Sequence, residues 1–176
     1  MKKIVLTFGI IAGVILSVLM VATMPFIDRI GFDYGLVVGY TSMVVAFLLV
    51  FFGIRSYREN VGGGQISFAR AFSVGILIVL IASVMYVVTW EIIYFNFLPD
   101  FGEKYAAHML EKARAAGASA EQLAAEAENM NEMKSILNNP LLNAAFTLLE
   151  PLPVGLVLTL VSAAILRKRY KEPQTT

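Results

Sequence analysis

Cysteine is absent from the 176-residue chain, and histidine occurs once, at His108. Without cysteine there is no disulfide, no thiolate nucleophile and no sulfur-ligated metal. A single histidine excludes multi-histidine metal sites and paired-histidine haem ligation. Charge is scarce as well: 15% of residues are Asp, Glu, Lys or Arg, against roughly a quarter in a typical soluble domain. The formal net charge of +1 gives no electrostatic footprint for nucleic acid, and none is expected as a partner. No His-Glu-x-x-His, no dinucleotide fingerprint and no Ser–His pair within an apolar run is present. His108 and Glu111 stand three apart, but one such pair does not make a metal site. The expectation is therefore a protein that is not an enzyme, with no cofactor and no metal.

What is abundant is apolar side chain, 58% of the total, gathered in four blocks. The first runs from Ile4 to Ile27 and the second from Tyr34 to Ile54, both without an interior charge near their centres. The third runs from Ala71 to Trp90 and ends at Glu91; the fourth, Leu141 to Leu166, is interrupted only by Glu150. A bilayer core about 30 Å thick needs about 20 such residues. The spans must be helical, since lipid offers no partner to an exposed backbone group. The alternating segments of a β-barrel are missing. The fold expected is an all-α membrane protein: a four-helix transmembrane bundle with spans near 4–27, 34–54, 70–97 and 141–167 and an outer helical hairpin near 100–138. Lys2 and Lys3 before an apolar run are reminiscent of a signal peptide. The run is longer than a signal core of about 7–15 residues, and Val21-Ala22-Thr23-Met24 is a poor cleavage site. An uncleaved first span is expected.

Lysine and arginine near span ends set orientation. Lys2 and Lys3, then Arg55, Arg58 and Arg70, then Arg167, Lys168, Arg169 and Lys171 mark one side. The connection from Glu91 to Lys134 carries eight acids against four cations, and Arg29 stands alone against Asp28 and Asp33. Both ends are therefore expected in the cytoplasm, with the long connection outside.

Span helices associate through small residues that let backbones approach. Gly9, Gly13 and Ser17, then Gly31, Gly35 and Gly39, then Gly155, Thr159 and Ala163 form stripes at four-residue spacing, and Gly75 with Ala82 and Ser83 a weaker set. They serve an intramolecular bundle or, alternatively, a dimer or another membrane protein. In the basic connection, Gly62-Gly63-Gly64 lacks the Gly-Lys-Ser/Thr of a phosphate loop and reads as a turn. Ser67 is placed to cap the third span, and the arginines to meet lipid phosphates. In the long connection, Asp100 with Glu103 and Ser119 with Gln122 are candidate capping boxes. Gly117 is a helix stop between them. The second helix puts Leu123, Met130, Met133 and Leu137 on one face and Glu121, Glu128 and Glu132 on the other, with Glu126 leaning to the apolar side.

An ionisable group at membrane depth is a functional candidate. Glu150 lies 17 residues before Arg167, roughly 25 Å of rise, and Glu91 lies about 31 Å beyond Arg70. Both approach the outer boundary, where Arg29, Tyr94, Asn96, Asn143 and His108 can join them as a polar cluster. Each carboxylate also has a structural reading. Pro151 and Pro153 suit a helix entry that Glu150 would cap, with a departure from straight helix there. Glu91 beside Trp90 marks an interface.

Several strings resemble the bacterial membrane family catalogued as domain of unknown function 4199: FFGIRSYREN from Phe51 to Asn60, the glycine run with ISFARAF up to Phe72, WEIIYFNFLPDF from Trp90 to Phe101, KYAAHMLEKARAAGAS from Lys104 to Ser119, and NPLLNAAFTLLEPLPVGL from Asn139 to Leu156. The resemblance covers nearly the whole chain. It implies a four-span bacterial membrane protein and no reaction or catalytic residue. Two function classes follow: a non-enzymatic envelope, assembly or accessory protein among membrane lipids, or a small transporter or channel coupling cations or protons to the outer carboxylates. Small multidrug exporters hold a carboxylate in their first span, and Ile4 to Ile27 has none. Reporter fusions after Thr176 and near Gly117 are expected to report opposite sides of the membrane. The same side for both would sink this topology.

Overall fold

In a computed structural model that describes residues 1–168, the chain forms seven α-helices and one 3₁₀ turn, with no strand among the described residues. Arg169, Lys171 and Thr176 lie outside the described residues, as does the side chain of Asp28. The helices are α1 (Lys2–Thr23), α2 (Ile27–Asn60), α3 (Phe68–Phe97), α4 (Phe101–Ala115), α5 (Ala120–Leu137), α6 (Pro140–Leu149) and α7 (Pro151–Leu166). Four stretches are long and apolar enough to cross a membrane: Lys2–Phe26, Arg29–Asn60, Phe68–Phe97 and Pro140–Leu166. The chain has the build of a four-helix membrane bundle. The end carrying Arg55, Arg58 and Arg70 is called basic below, and the opposite end distal.

The first two spans meet more tightly than hydropathy suggests. α1 ends at Thr23 rather than near residue 27, because Pro25 enters a 3₁₀ turn, Met24–Phe26. α2 then starts at once, seven residues before the expected span. Within it Gly31 breaks the helix with φ 72° and ψ 164°, a region open essentially to glycine alone. Gly31 is thus a bend, not a member of a packing stripe.

The contacts run around the bundle as α1–α3–α7–α2–α1, with α2 also touching α3 across the middle. Close approach to α3 comes from small residues on its neighbours. A Cβ on Gly9 would sit 2.8 Å from Ile81 Cβ, and one on Gly13 would sit 2.9 Å from Met85 Cβ. A Cβ on Gly155 would overlap Val79, and Gly75 receives Thr159 at 2.7 Å. Gly35 and Gly39 behave differently: a Cβ on either meets nothing within 4 Å. The expected stripe on the second span therefore borders open space. The reason lies in the fourth span, whose distal part, α6, packs on α3 and α5 and leaves the distal half of α2 without that neighbour.

The basic half is dense. Ala46, Phe47, Val50, Ile54, Val74 and Ile78 are fully buried. Ser67 caps α3 by accepting from Arg70 N at 3.3 Å. Ile66 and Lys168 exchange backbone hydrogen bonds of 3.2 and 3.0 Å, tying the loop to the end of α7. Arg55 pairs with Glu59 at 2.9 Å, and Arg58 donates to Glu59 at 3.3 Å and to Leu166 O at 3.4 Å. These two arginines are engaged within the protein rather than held only for lipid phosphate.

Between the third and fourth spans, α4 and α5 are joined through Gly117 at φ +82°. Ser119 and Gln122 form the reciprocal box, with bonds of 2.8 and 3.2 Å. Asp100 makes no side-chain cap, so the pair with Glu103 is not a capping box. Glu103 instead lies 3.9 Å from Lys134 of α5. Leu123, Glu126, Met130, Met133 and Leu137 are half-buried while Glu121, Glu128 and Glu132 are exposed.

The glycines yield a paired prediction. Gly155→Ala must displace stiff Val79 and is expected to destabilise by about 1–3 kcal/mol, the usual range for overpacking. Gly39→Ala adds a methyl to empty space and removes a flexible helix residue, so it should stabilise by up to about 1 kcal/mol. Equilibrium unfolding in detergent distinguishes them; equal effects would refute the packing described.

Candidate functional site

The open space beside Gly35 and Gly39 is a cavity of about 200 Å³ in the distal half of the bundle. Its walls come from the end of α1, the distal half of α2, the distal part of α3 and the start of α4, with Glu150 from the α6–α7 junction. The floor is at Leu16 and Met43. Met43 lies 12 residues before Arg55, or about 18 Å of helix, so the floor is near the middle of a hydrocarbon core about 30 Å thick. Below it the buried residues Ala46, Phe47 and Val50 close the path.

Glu150 sits where the fourth span is interrupted. Its own backbone remains helical, at φ −66° and ψ −52°. The interruption is in the hydrogen bonds: prolines at 151 and 153 bring no N–H, and Glu150 N reaches Thr147 O at 3.3 Å instead. The carboxylate does not cap α7. It accepts from Tyr86 Oη at 2.9 Å. Among the described residues no Lys, Arg or His pairs with it. Tyr86 was legible only as depth. It lies 16 residues after Arg70, about 24 Å, the level of Glu150 on its own helix.

Asn143 is fully buried and organises a second group. Its Oδ1 accepts from Trp90 Nε1 at 3.0 Å and from Thr147 Oγ1 at 3.1 Å. Its Nδ2 donates to Leu137 O at 2.9 Å. The indole N–H can only donate, which fixes the amide's orientation. Asn139 caps α6 beside it, accepting from Leu141 N and Leu142 N at 3.1 and 3.2 Å. Across the bundle Thr89 donates to Met85 O, so Ser17 is the donor in the 2.8 Å Ser17–Thr89 bond.

The remaining candidates are dispersed. His108 Nε2 lies 3.7 Å from Asp33, which also binds Lys112 Nζ at 2.7 Å. Tyr94 donates to Asn138 at 3.4 Å. Asn96 is exposed and donates to Ile92 O of its own helix, and Arg29 is exposed. Glu91 Oε1 is buried with no hydrogen-bond partner. The seven residues thus do not form one cluster. They divide among Glu150–Tyr86, Asn143–Trp90–Thr147, Asp33–His108–Lys112 and Tyr94–Asn138, with Glu91, Asn96 and Arg29 outside these groups. Asp33, Lys112, Tyr86 and Thr147 carried no sequence signal that marked them as partners.

Aromatic rings roof the cavity. Phe32, turned by the bend at Gly31, meets Phe101, Tyr105 and His108 with ring centroids 5.6, 5.4 and 5.3 Å apart. Trp90 meets Phe101 edge-on at 5.2 Å. Such pairs add about 0.5–1.5 kcal/mol each beyond area burial, so the roof holds α4 on the bundle more firmly than the exposed Asp33–Lys112 pair.

A family model described as "Protein of unknown function (DUF4199)" matches residues 7–168. The chain belongs to this DUF4199 family. No curated protein and no solved structure matches it. The match spans all four membrane-type helices and every group just described, so the cavity lies within the DUF4199 region.

Asn143→Leu is expected to cost about 1–3 kcal/mol, because Trp90 N–H and Leu137 C=O lose their partner together. Trp90 is the sole tryptophan, so its emission follows the unfolding directly. Unchanged stability would show that the Asn143 group is dispensable.

Proposed function

We propose that this DUF4199 protein is a non-enzymatic accessory protein of a bacterial cytoplasmic membrane that acts by binding at the distal cavity. Both chain ends are cytoplasmic in this reading, and the cavity opens towards the outer half of the bilayer. The observation that carries it is the cavity's form: apolar, closed below by Phe47 and Val50, and holding one carboxylate. Its small hydroxyls are committed elsewhere. Thr23 donates to Met20 O at 2.8 Å and Ser42 to Val38 O at 2.8 Å. A permeation path needs polar groups that replace hydration along its length, and this wall supplies few.

A transporter remains the second reading, on one observation. The interrupted fourth span places Glu150 at the cavity, and transporters build ion sites at interrupted helices. Reconstituted vesicles separate the two. The accessory reading expects proton and cation flux no greater than in empty vesicles, for the wild type and for Glu150→Gln alike. A saturable flux that Glu150→Gln abolishes in folded protein would replace it with the transporter.

A further inference from the structure

We infer that the distal cavity binds a single-chain cationic amphiphile, an alkylammonium, with its charged head at Glu150 and its chain towards Leu16 and Met43. This rests on the cavity being a binding site and adds the class of its ligand. Three observations select that class. The first is charge. Among the described residues Glu150 is the one carboxylate in the wall, and no Lys, Arg or His lines it. A carboxylate offers about four acceptor positions, and Tyr86 occupies one of them. An ammonium head meets an opposite charge here, whereas a phosphate-bearing head would bring its anion beside the Glu150 carboxylate with no Lys, Arg or His of the lining to offset it.

The second observation is the wall around the acid. Tyr40, Tyr86, Trp90 and Tyr105 all line the cavity, and aromatic faces attract cations, most strongly when water is excluded. Trp90 follows Tyr86 by four residues and so lies on the same face of α3. The third is size and access. A cavity of about 200 Å³ lies between the roughly 150 Å³ that admits benzene and the roughly 300 Å³ at the lower end for drug-sized ligands. It takes a head and part of one chain, not a two-chain lipid. Leu36 and Tyr40 of the wall are exposed, so the rest of the chain can extend into the bilayer beside α2.

Trp90 is both a wall residue and the only tryptophan, so bound chains carrying a heavy atom quench its fluorescence. The full-length protein in maltoside micelles is titrated with dodecylammonium brominated at the fourth carbon, close to the head and so to Trp90, and, separately, with dodecanol brominated at the same carbon. The ammonium is expected to quench saturably at a concentration about tenfold or more below the alcohol, as a charge-assisted contact requires. Glu150→Gln should erase that difference and leave the alcohol curve unchanged. Tyr86→Phe keeps the carboxylate and should keep the preference. Gly39→Phe, which grows into space where a Cβ meets nothing, should abolish saturable quenching by both. Equal curves for ammonium and alcohol in the wild type would overturn the ligand class while leaving the cavity as a binding site, provided Gly39→Phe still abolishes them. Absence of saturable quenching by either probe would overturn both. The wild-type comparison decides the ligand class even if Glu150→Gln does not fold.

Discussion

Helix α3 can serve as the hub of this bundle because, at its closest contacts with α1 and α7, one of the two helices presents a glycine. In hydrocarbon there is no hydrophobic gain from pairing two apolar helices, so association depends on dispersion contact at short range. Gly9 and Gly13 of α1 receive the bulk of Ile81 and Met85, and Gly155 of α7 receives Val79. At Gly75 the roles reverse, and α3 receives Thr159 of α7 with Ile54 and Val50 of α2. Such contact explains why spans one and three are in extensive contact although a whole helix separates them in sequence. It also explains why α1 and α7, each spending its small face on α3, stand on opposite sides.

The same hub forces the distal half apart. Prolines at 151 and 153 end the regular hydrogen bonding of the fourth span just beyond its glycine contact. The segment before them, α6, follows α3 and α5 instead of α2. The polar residues at that level then have to be satisfied by local partners, since neither lipid nor a fourth neighbour is available. Asn143 meets this requirement through Trp90, Thr147 and Leu137, and Glu150 through Tyr86. Glu91 meets it less well, with one carboxylate oxygen buried and unpartnered.

What sequence reasoning reads well is spacing along one helix. The spans, the Ser67 cap, the Ser119–Gln122 box and the amphipathic face of α5 are all local, and each follows from residues of one continuous stretch of chain. Asp100 was misread because the capping pattern is necessary and not sufficient: the Asp100 backbone, at φ −97° and ψ 7°, is not in the extended form that aims a side chain at the first turn. What spacing cannot supply is which helix lies opposite. Gly9-Gly13 and Gly35-Gly39 are the same pattern, yet one receives α3 and the other borders a cavity. Tyr86 was not among the candidate partners of Glu150, because depth along a helix does not say which polar residue of another helix lies opposite. The family resemblance could not resolve this, because it brought no functional residues with it.

The two halves of the bundle consequently differ in kind. The basic half is closed by fully buried aliphatic and aromatic side chains and cross-tied by the Ile66–Lys168 backbone pair. Close-packed interiors of that sort have few alternative arrangements. The distal half is held by single hydrogen bonds between helices and by rings from α4 resting on Phe32 and Trp90. Each of these contacts contributes on the order of 1 kcal/mol. Opening one costs little compared with unpacking the core, and regions of low local stability are where binding elements are found. The bend at Gly31 joins these facts. It aims Phe32 at α4, so the roof depends on a residue that carries no side chain.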